Sequence, residues 1–350
     1  MRWSSALRLF SSSVTLLTLA PVEMKLRLNL VILWCVVGGF DAFVSLSVRY
    51  RVSALRAKQS IAVVGSGAVG SYYGARLWES GAYDVKFHMR GEHYETSVKK
   101  GLNVTSIDGD IFIPPESLNA YKHTDEMGTA DWVVVALKST SLDAIPDLIC
   151  PLLHRDTRVL VIMNGLVEDD LVCAMNKAGA DFCALYGGMA LLCSNRLGPG
   201  RVDHSYAGFL SGGVATSQGT AESDRKAFES LWKPTKVEIG YEESLLRGRW
   251  RKSLWNLPFN GISVAMGGIT VDIIVNDPGL RRLADLVMDE TIAAANADLS
   301  SHGAPSSLYL GDEDVSRSPG AQDAHQRCLQ PNVVLSSTRT SETSYDGPFR

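Results

Sequence analysis

The run Ile61-Ala62-Val63-Val64, followed at once by Gly65-Ser66-Gly67-Ala68-Val69-Gly70, narrows what this chain can fold into more than any other feature. A short apolar strand leads into G-x-G-x-x-G. A helix-compatible segment from Ser71 to about Ser80 then stops at Gly81, and a second strand follows from Asp84 to Met89. Strand, glycine turn, helix and strand in that order form the setting of a dinucleotide-binding fingerprint. Gly65 permits the tight turn, Gly67 lets the backbone approach a pyrophosphate, and Gly70 lets the helix pack close to the sheet. The helix N-terminus offers free N–H groups to phosphates. The residues expected at the cofactor are therefore Gly65, Ser66, Gly67, Ala68, Val69 and Gly70. A purely structural glycine-rich turn is the alternative.

The end of the second strand, Lys86-Phe87-His88-Met89-Arg90-Gly91, bears on which cofactor. An NAD site commonly carries an acid there to accept from the ribose 2′-OH. Arg90 stands in its place, and a guanidinium suits a 2′-phosphate. NADP is the cofactor this predicts. Arg90 as a solvated loop charge is the other reading, and Glu92 is close enough in sequence to pair with it or to reach a ribose.

Further along, Asp131 to Leu137 and Arg158 to Ile162 read as buried strands, and Ser141 to Leu153 as a helix. Lys138 and Asn164 follow the two strands. In an open parallel sheet, ligands sit at the carboxyl ends of strands, so both residues are expected to reach cofactor or substrate; each is otherwise a turn residue. Phe182 to Leu192 is apolar and is punctuated by Leu197-Gly198-Pro199-Gly200. Val202 to His204, Gly208 to Val214 and Lys236 to Gly240 read as an antiparallel extension of the sheet, in which His204 has a structural role. From Tyr241 the pattern becomes helical, with one long segment to about Met266 and another from Asp277 to about Ser301. Lys252, Asn256 and Asn260 are spaced i, i+4, i+8 and share one face of the first. A lysine and two asparagines on a largely apolar helix are costly unless they meet partners; a solvated stripe is the alternative. Pro258 sits inside this helix, where it removes a hydrogen bond at a cost of ~3 kcal/mol unless a kink is accommodated.

The two ends read differently. Residues 1–59 are rich in basic and hydroxyl residues, with only Glu23 and Asp41 as acids, which predicts a targeting or non-globular segment. The apolar run Leu28 to Phe40 is too short for a stable membrane span. An organelle, mitochondrion or plastid, is the expected location if that segment is a transit peptide, and the cytoplasm otherwise. Residues 306–350 show no helical or strand period from Gly311 to Ser344 and predict a disordered tail. A length of 350 residues and a net charge of −4 suit a two-domain globular protein and give no reason to expect nucleic acid as a partner. The six cysteines show no C-x-x-C and no metal-site spacing, so buried, reduced thiols and no metal are expected.

Gly65-x-Gly67-x-x-Gly70, Arg90-Gly91, Leu137-Lys138, Asn164-Gly165, Arg196-Leu197-Gly198-Pro199-Gly200 and Lys252-x3-Asn256-x3-Asn260 together resemble the ketopantoate reductases, over about Ser60 to Ser301. The resemblance implies an α/β fold. A Rossmann-type, NADP-binding N-terminal domain would occupy residues 60–240 and an all-α substrate and catalytic domain residues 241–305. It implies NADPH-dependent reduction of a small 2-oxoacid, 2-dehydropantoate, to pantoate on the way to pantothenate and coenzyme A. By the same resemblance Lys252 is the catalytic lysine, and Asn256 and Asn260 bind substrate. Asn164 lies at cofactor and substrate, and Lys138 contacts either. The family continues beyond the second long helix with a substrate-contacting serine and a Glu-x-Asp-x-x-x-Gly helix; after Pro305 the sequence offers no such helix. A homodimer is left open. The competing readings are a related NADP-dependent 2-oxoacid or hydroxyacid dehydrogenase, and a non-catalytic NADP-binding protein with an incomplete C-terminal domain.

Overall fold

The computed structural model describes residues 58–317, so the expectations for residues 1–57 and 318–350 lie outside the described residues. The chain opens with β1 (Gln59–Val64), α1 (Ala68–Glu79), β2 (Tyr83–His88), α2 (Gly91–Lys100), β3 (Leu102–Ser106), β4 (Ile111–Ile113), β5 (Asn119–Tyr121) and β6 (Trp132–Val135). Next come α3 (Ile145–Ile149), β7 (Arg158–Ile162), α4 (Glu168–Lys177), β8 (Ala184–Gly198), β9 (Arg201–Ser217), α5 (Ala221–Trp232) and β10 (Ile239–Tyr241). The last elements are α6 (Leu245–Ala265), α7 (Val271–Asn276), α8 (Pro278–Ser301) and α9 (Asp312–Arg317).

The strands form one sheet in the order β4-β3-β9-β8-β7-β6-β1-β2-β5, with β10 beside β9. From β5 to β8 every pairing is parallel. Numbered by their own succession, these six strands run 3-2-1-4-5-6, the doubly wound dinucleotide order, which reverses direction between β1 and β6. Parallel strands covered on both faces are apolar throughout, and alternate residues divide between two cores. Ile61, Val63, Trp132, Val134 and Leu160 join α1 and α5 on one face. Ala62, Val64, Val133, Val135, Val159 and Val161 join α3 and α4 on the other.

Several expectations are corrected here. Ser141 to Leu153, expected as one helix, instead fall in two 3₁₀ turns (Ser139–Ala144 and Cys150–Leu152) flanking the short α3, with Pro146 at its start and Pro151 just beyond it. The strand outlasts the apolar run from Phe182 to Leu192: β8 continues to Gly198 and turns through Pro199-Gly200 into the 17-residue β9, so the two form one long antiparallel hairpin. β10, in the segment expected to be antiparallel, runs parallel to β9; β3 also pairs parallel with β9. His204 is structural: its Nδ1 is 2.9 Å from Ser106 Oγ, and its ring packs on Tyr72. The expectation of buried thiols also fails in part, since Cys173 and Cys193 are exposed.

The helical region packs through Phe259, Ile262, Ala284 and Met288, with Ile274 of α7 between them. α6 runs unbroken through Pro258, which is buried. Of the segment expected to be disordered, residues 306–317 form a 3₁₀ turn (Ser306–Leu308) and α9. Polar groups tie this segment down where hydrophobic period is lacking. Asn296 donates to the Leu310 carbonyl at 3.0 Å and accepts its N–H at 2.7 Å. Arg247 donates to Leu308 O at 3.1 Å and to both oxygens of the buried Asp314 carboxylate at 2.8 and 3.0 Å. Leu310 fills a small core with Leu254 and Ala295.

Removing one partner of a largely buried ion pair leaves the other charge uncompensated. Asp314→Ala should therefore lower unfolding free energy by about 2–4 kcal/mol, read as a lower urea midpoint at unchanged slope. An unchanged midpoint would mean that α9 contributes nothing to the fold.

Candidate active site

Backbone chemistry builds one side of the site. Gly65 has φ +92°, and a Cβ there would lie 2.6 Å from Leu137 Cδ2 and 2.9 Å from the Ala136 carbonyl oxygen. A Cβ on Gly70 would run into the Gly65 carbonyl, so the first turn of α1 sits directly on the loop. Gly67, the N-cap of α1, differs: a Cβ there would meet nothing within 4 Å. Packing does not demand that glycine; its bare Cα leaves the space above the turn open for a ligand to approach the backbone. The Ser66 hydroxyl below is buried and has no hydrogen-bond partner among the described residues. A clear cradle above free helix N–H groups, with an orphaned hydroxyl, fits the diphosphate of a dinucleotide.

The turn opens onto a cleft of about 930 Å³. Its walls come from the Gly67–Val69 turn, the ends of β6 and β7, the middle of β8, Tyr206 of β9, and α6. Eight of the site residues expected from sequence line it: Gly67, Ala68, Val69, Lys138, Asn164, Lys252, Asn256 and Asn260. Lys138 and Asn164 are exposed where β6 and β7 end. Lys252 Nζ donates to the Ala190 carbonyl of β8 at 2.8 Å. Burial, and after it the Arg249 guanidinium one turn away, pushes its ammonium down to about 8. Asn260 Nδ2 is 3.4 Å from Asn256 Oδ1, so the two amides stand one turn apart on the same stripe.

Gly65, Ser66 and Gly70 shape the turn from beneath and do not line the cleft. Nor does Arg90, which lines a separate pocket of about 560 Å³ beside the ends of β2 and β5, with His88, Lys122 and His123. Asp125 and Asp147 also line it. Burial, and after it the Arg90 charge, holds the His88 imidazole below its ordinary range, and its Nδ1 has no partner among the described residues.

Sequence reasoning missed three groups. Lys122 and His123 join Arg90 only because β5 pairs with β2. Tyr206 and Leu191 to Ser194 reach the cleft through the hairpin. Arg249 and Glu168 form a buried ion pair beneath the cleft floor. A second charged residue three positions before Lys252 was the available signal for Arg249; nothing local marks Glu168.

Two family models match the chain: "Ketopantoate reductase PanE/ApbA" over residues 61–216 and its C-terminal counterpart over residues 244–318. A 2-dehydropantoate 2-reductase of Nostoc sp. is 35% identical over 245 residues, covering 69% of this chain and 73% of that protein. The crystal structure of 2-dehydropantoate 2-reductase from Geobacter metallireducens superposes with a TM-score of 0.66 at 32% identity, covering 79% of this chain and 84% of the other. A D-mandelate dehydrogenase solved with NADH and anilino(oxo)acetate has the same fold, with a TM-score of 0.63 at 18% identity over 78% and 80% of the two chains. No helix among the described residues is long and apolar enough to cross a membrane. A doubly wound sheet with a dinucleotide cradle, a lysine and two asparagines facing it from one helix, and both family models in register along the chain identify this protein as a member of the ketopantoate reductase family of pyridine-nucleotide-dependent oxidoreductases.

Proposed function

We propose that this protein reduces 2-dehydropantoate to pantoate with NADPH, a step toward pantothenate and coenzyme A. The observation that carries the reading is the convergence of Lys252, Asn256 and Asn260 on the same cleft as the Gly67 turn and Asn164. The reduced nicotinamide, when bound, supplies the hydride to the carbonyl carbon. Negative charge then builds on the carbonyl oxygen. A nearby ammonium stabilises that charge and can transfer its proton to the oxygen, giving the alcohol and a neutral lysine that is reprotonated from solvent. Lys252 has the reach and the acidity for this: its proton-binding range, lowered to about 8, lies near neutral pH, where general acids work best. Asn256 and Asn260 can orient a hydroxyl and a carboxylate without adding charge. Asn164 and Lys138, at the ends of β7 and β6, hold cofactor and substrate at the strand termini.

NADP is favoured over NAD by the basic pocket at the end of β2. Arg90 offers a planar fork to a 2′-phosphate, and Lys122 and His123 stand beside it.

The direct test is oxidation of NADPH on addition of 2-dehydropantoate. Lys252→Ala should lower kcat by about 10²- to 10⁴-fold with little change in NADPH affinity. Near-normal kcat in that variant would sink the lysine role. Asn256→Ala and Asn260→Ala should raise KM more than they lower kcat, if they act mainly on bound substrate.

The acid must carry its proton, so kcat should fall as pH rises through about 8. A profile flat to pH 10 would exclude Lys252 as proton donor.

For the cofactor, NADPH should bind about 10- to 100-fold tighter than NADH, because charge-assisted hydrogen bonds contribute roughly 1.5–3 kcal/mol. Arg90→Ala should remove most of that gap in a fluorescence titration; equal affinities in the unaltered protein would refute the preference.

A further inference from the structure

We propose that Arg249, paired with Glu168, is a positioning residue that fixes the register of α6 against β7 and β8 and so sets where Lys252 and Asn164 stand in the cleft. This rests on the reading of Lys252 as proton donor.

Arg249 is 3% exposed and Glu168 7% exposed. Arg249 Nε donates to Glu168 Oε1 at 3.0 Å, and Nη2 donates to the same oxygen. Its Nη1 donates to the carbonyls of Met163 and Gly188, the latter at 3.2 Å. One guanidinium thus joins three elements to its own helix: the end of β7, the first residue of α4, and β8. Each contact bears on the cleft. The Met163 carbonyl belongs to the peptide that leads into Asn164, so bonding it orients the start of that loop. Gly188 and Ala190 are two residues apart on β8 and present the same face. Arg249 bonds the first and Lys252, one helical turn on, bonds the second at 2.8 Å. The two basic side chains therefore anchor α6 to one strand at two successive positions. Sliding or rotating α6, which would move Lys252, would also break the Arg249 contacts.

A lysine could not replace this arrangement. Its ammonium is a compact charge with three donors, whereas the guanidinium presents a rigid planar fork. A well-packed apolar pair of similar volume commonly stabilises a fold as well as a buried ion pair does, so stability alone does not explain keeping these charges under the cleft. Placement does, because a misplacement of about 1 Å can cost on the order of 10²-fold in rate.

The pair also shapes the charge at Lys252. Lys138, Cys193 and Tyr206 are the other titratable groups that line the cleft with that ammonium, and Arg249, paired with Glu168 from α4, lies one turn before it on its own helix. Arg249 disfavours the protonated lysine.

The test compares full-length Arg249→Lys, Glu168→Gln and the double variant Arg249→Met with Glu168→Gln, which leaves no lone buried charge. The readouts are kcat, KM for each substrate, the pH dependence of kcat, and thermal unfolding. Arg249→Lys should lose about 10- to 100-fold in kcat while KM for NADPH stays within about twofold. The basic limb of the pH profile should move to higher pH in the double variant, which lacks the guanidinium, and Glu168→Gln, which leaves the guanidinium without its carboxylate, should lower kcat as Arg249→Lys does. Folded variants with the kcat and basic limb of the unaltered protein would overturn the proposal. So would loss of folding in all three, which would make the pair a structural brace only. If Lys252→Ala is itself near normal, the proton-donor reading has failed instead, and no shift of the basic limb can then be assigned to Arg249.

Discussion

The close approach of α6 to the sheet is the constraint on which the site depends. β8 and β9 lie side by side with Gly187 opposite Gly213 and Gly188 opposite Gly212. A side chain on Gly187 would strike Glu168 and come within 2.9 Å of Leu245; one on Gly213 would come within 2.6 Å of the Glu242 carbonyl. On the other side, a Cβ at Gly212 would press on Phe228 of α5 at 2.7 Å. This stretch near the open end of the hairpin is therefore bare, and the start of α6 settles onto it. The same bareness makes room for the Arg249–Glu168 pair. Losing one member of such a pair typically costs about 3–5 kcal/mol, so any geometry of α6 that separates them is strongly disfavoured.

That docking joins two kinds of chemistry. The doubly wound sheet supplies fixed backbone donors and loop ends at the point where its strand order reverses, between β1 and β6. The helix supplies side chains on one stripe, rising a turn at a time. Neither makes a cleft alone. The hairpin bridges them, because β8 pairs with β7 at its start and carries Leu191 to Ser194 along the cleft wall further on. Partial exclusion of water in that cleft is what lowers proton affinity at Lys252. Its bond to the Ala190 carbonyl keeps the ammonium from being an unpartnered buried charge.

Much of this was legible in the sequence where the signal was local. The fingerprint, the buried strands β1, β6 and β7, and the long helices α6 and α8 follow from β-branched runs, glycine spacing and helical period. What escaped was structure defined by a partner. The far half of β8, Cys193 to Gly198, is mostly polar and is a strand only because β9 folds back along it. β4 and β5 are three residues each, too short to show a period. Residues 306–317 lack an apolar repeat and are held by Arg247 from α6, 67 residues before Asp314, and by Asn296 from α8. Pro258 gave reason to expect a distorted helix, yet α6 continues through it as one element.

By itself the sequence determined the class of fold, the nucleotide turn and the shared face of Lys252, Asn256 and Asn260, because each depends on residues within a few turns or one strand of one another. Only the tertiary structure decided that this face meets the ends of β6 and β7, and that Arg90 stands in a pocket with Lys122 and His123 and outside the main cleft. It also decided that Arg249 finds Glu168 81 residues away. Those outcomes depend on strand order and on how closely a helix can approach a sheet, and no local pattern encodes either.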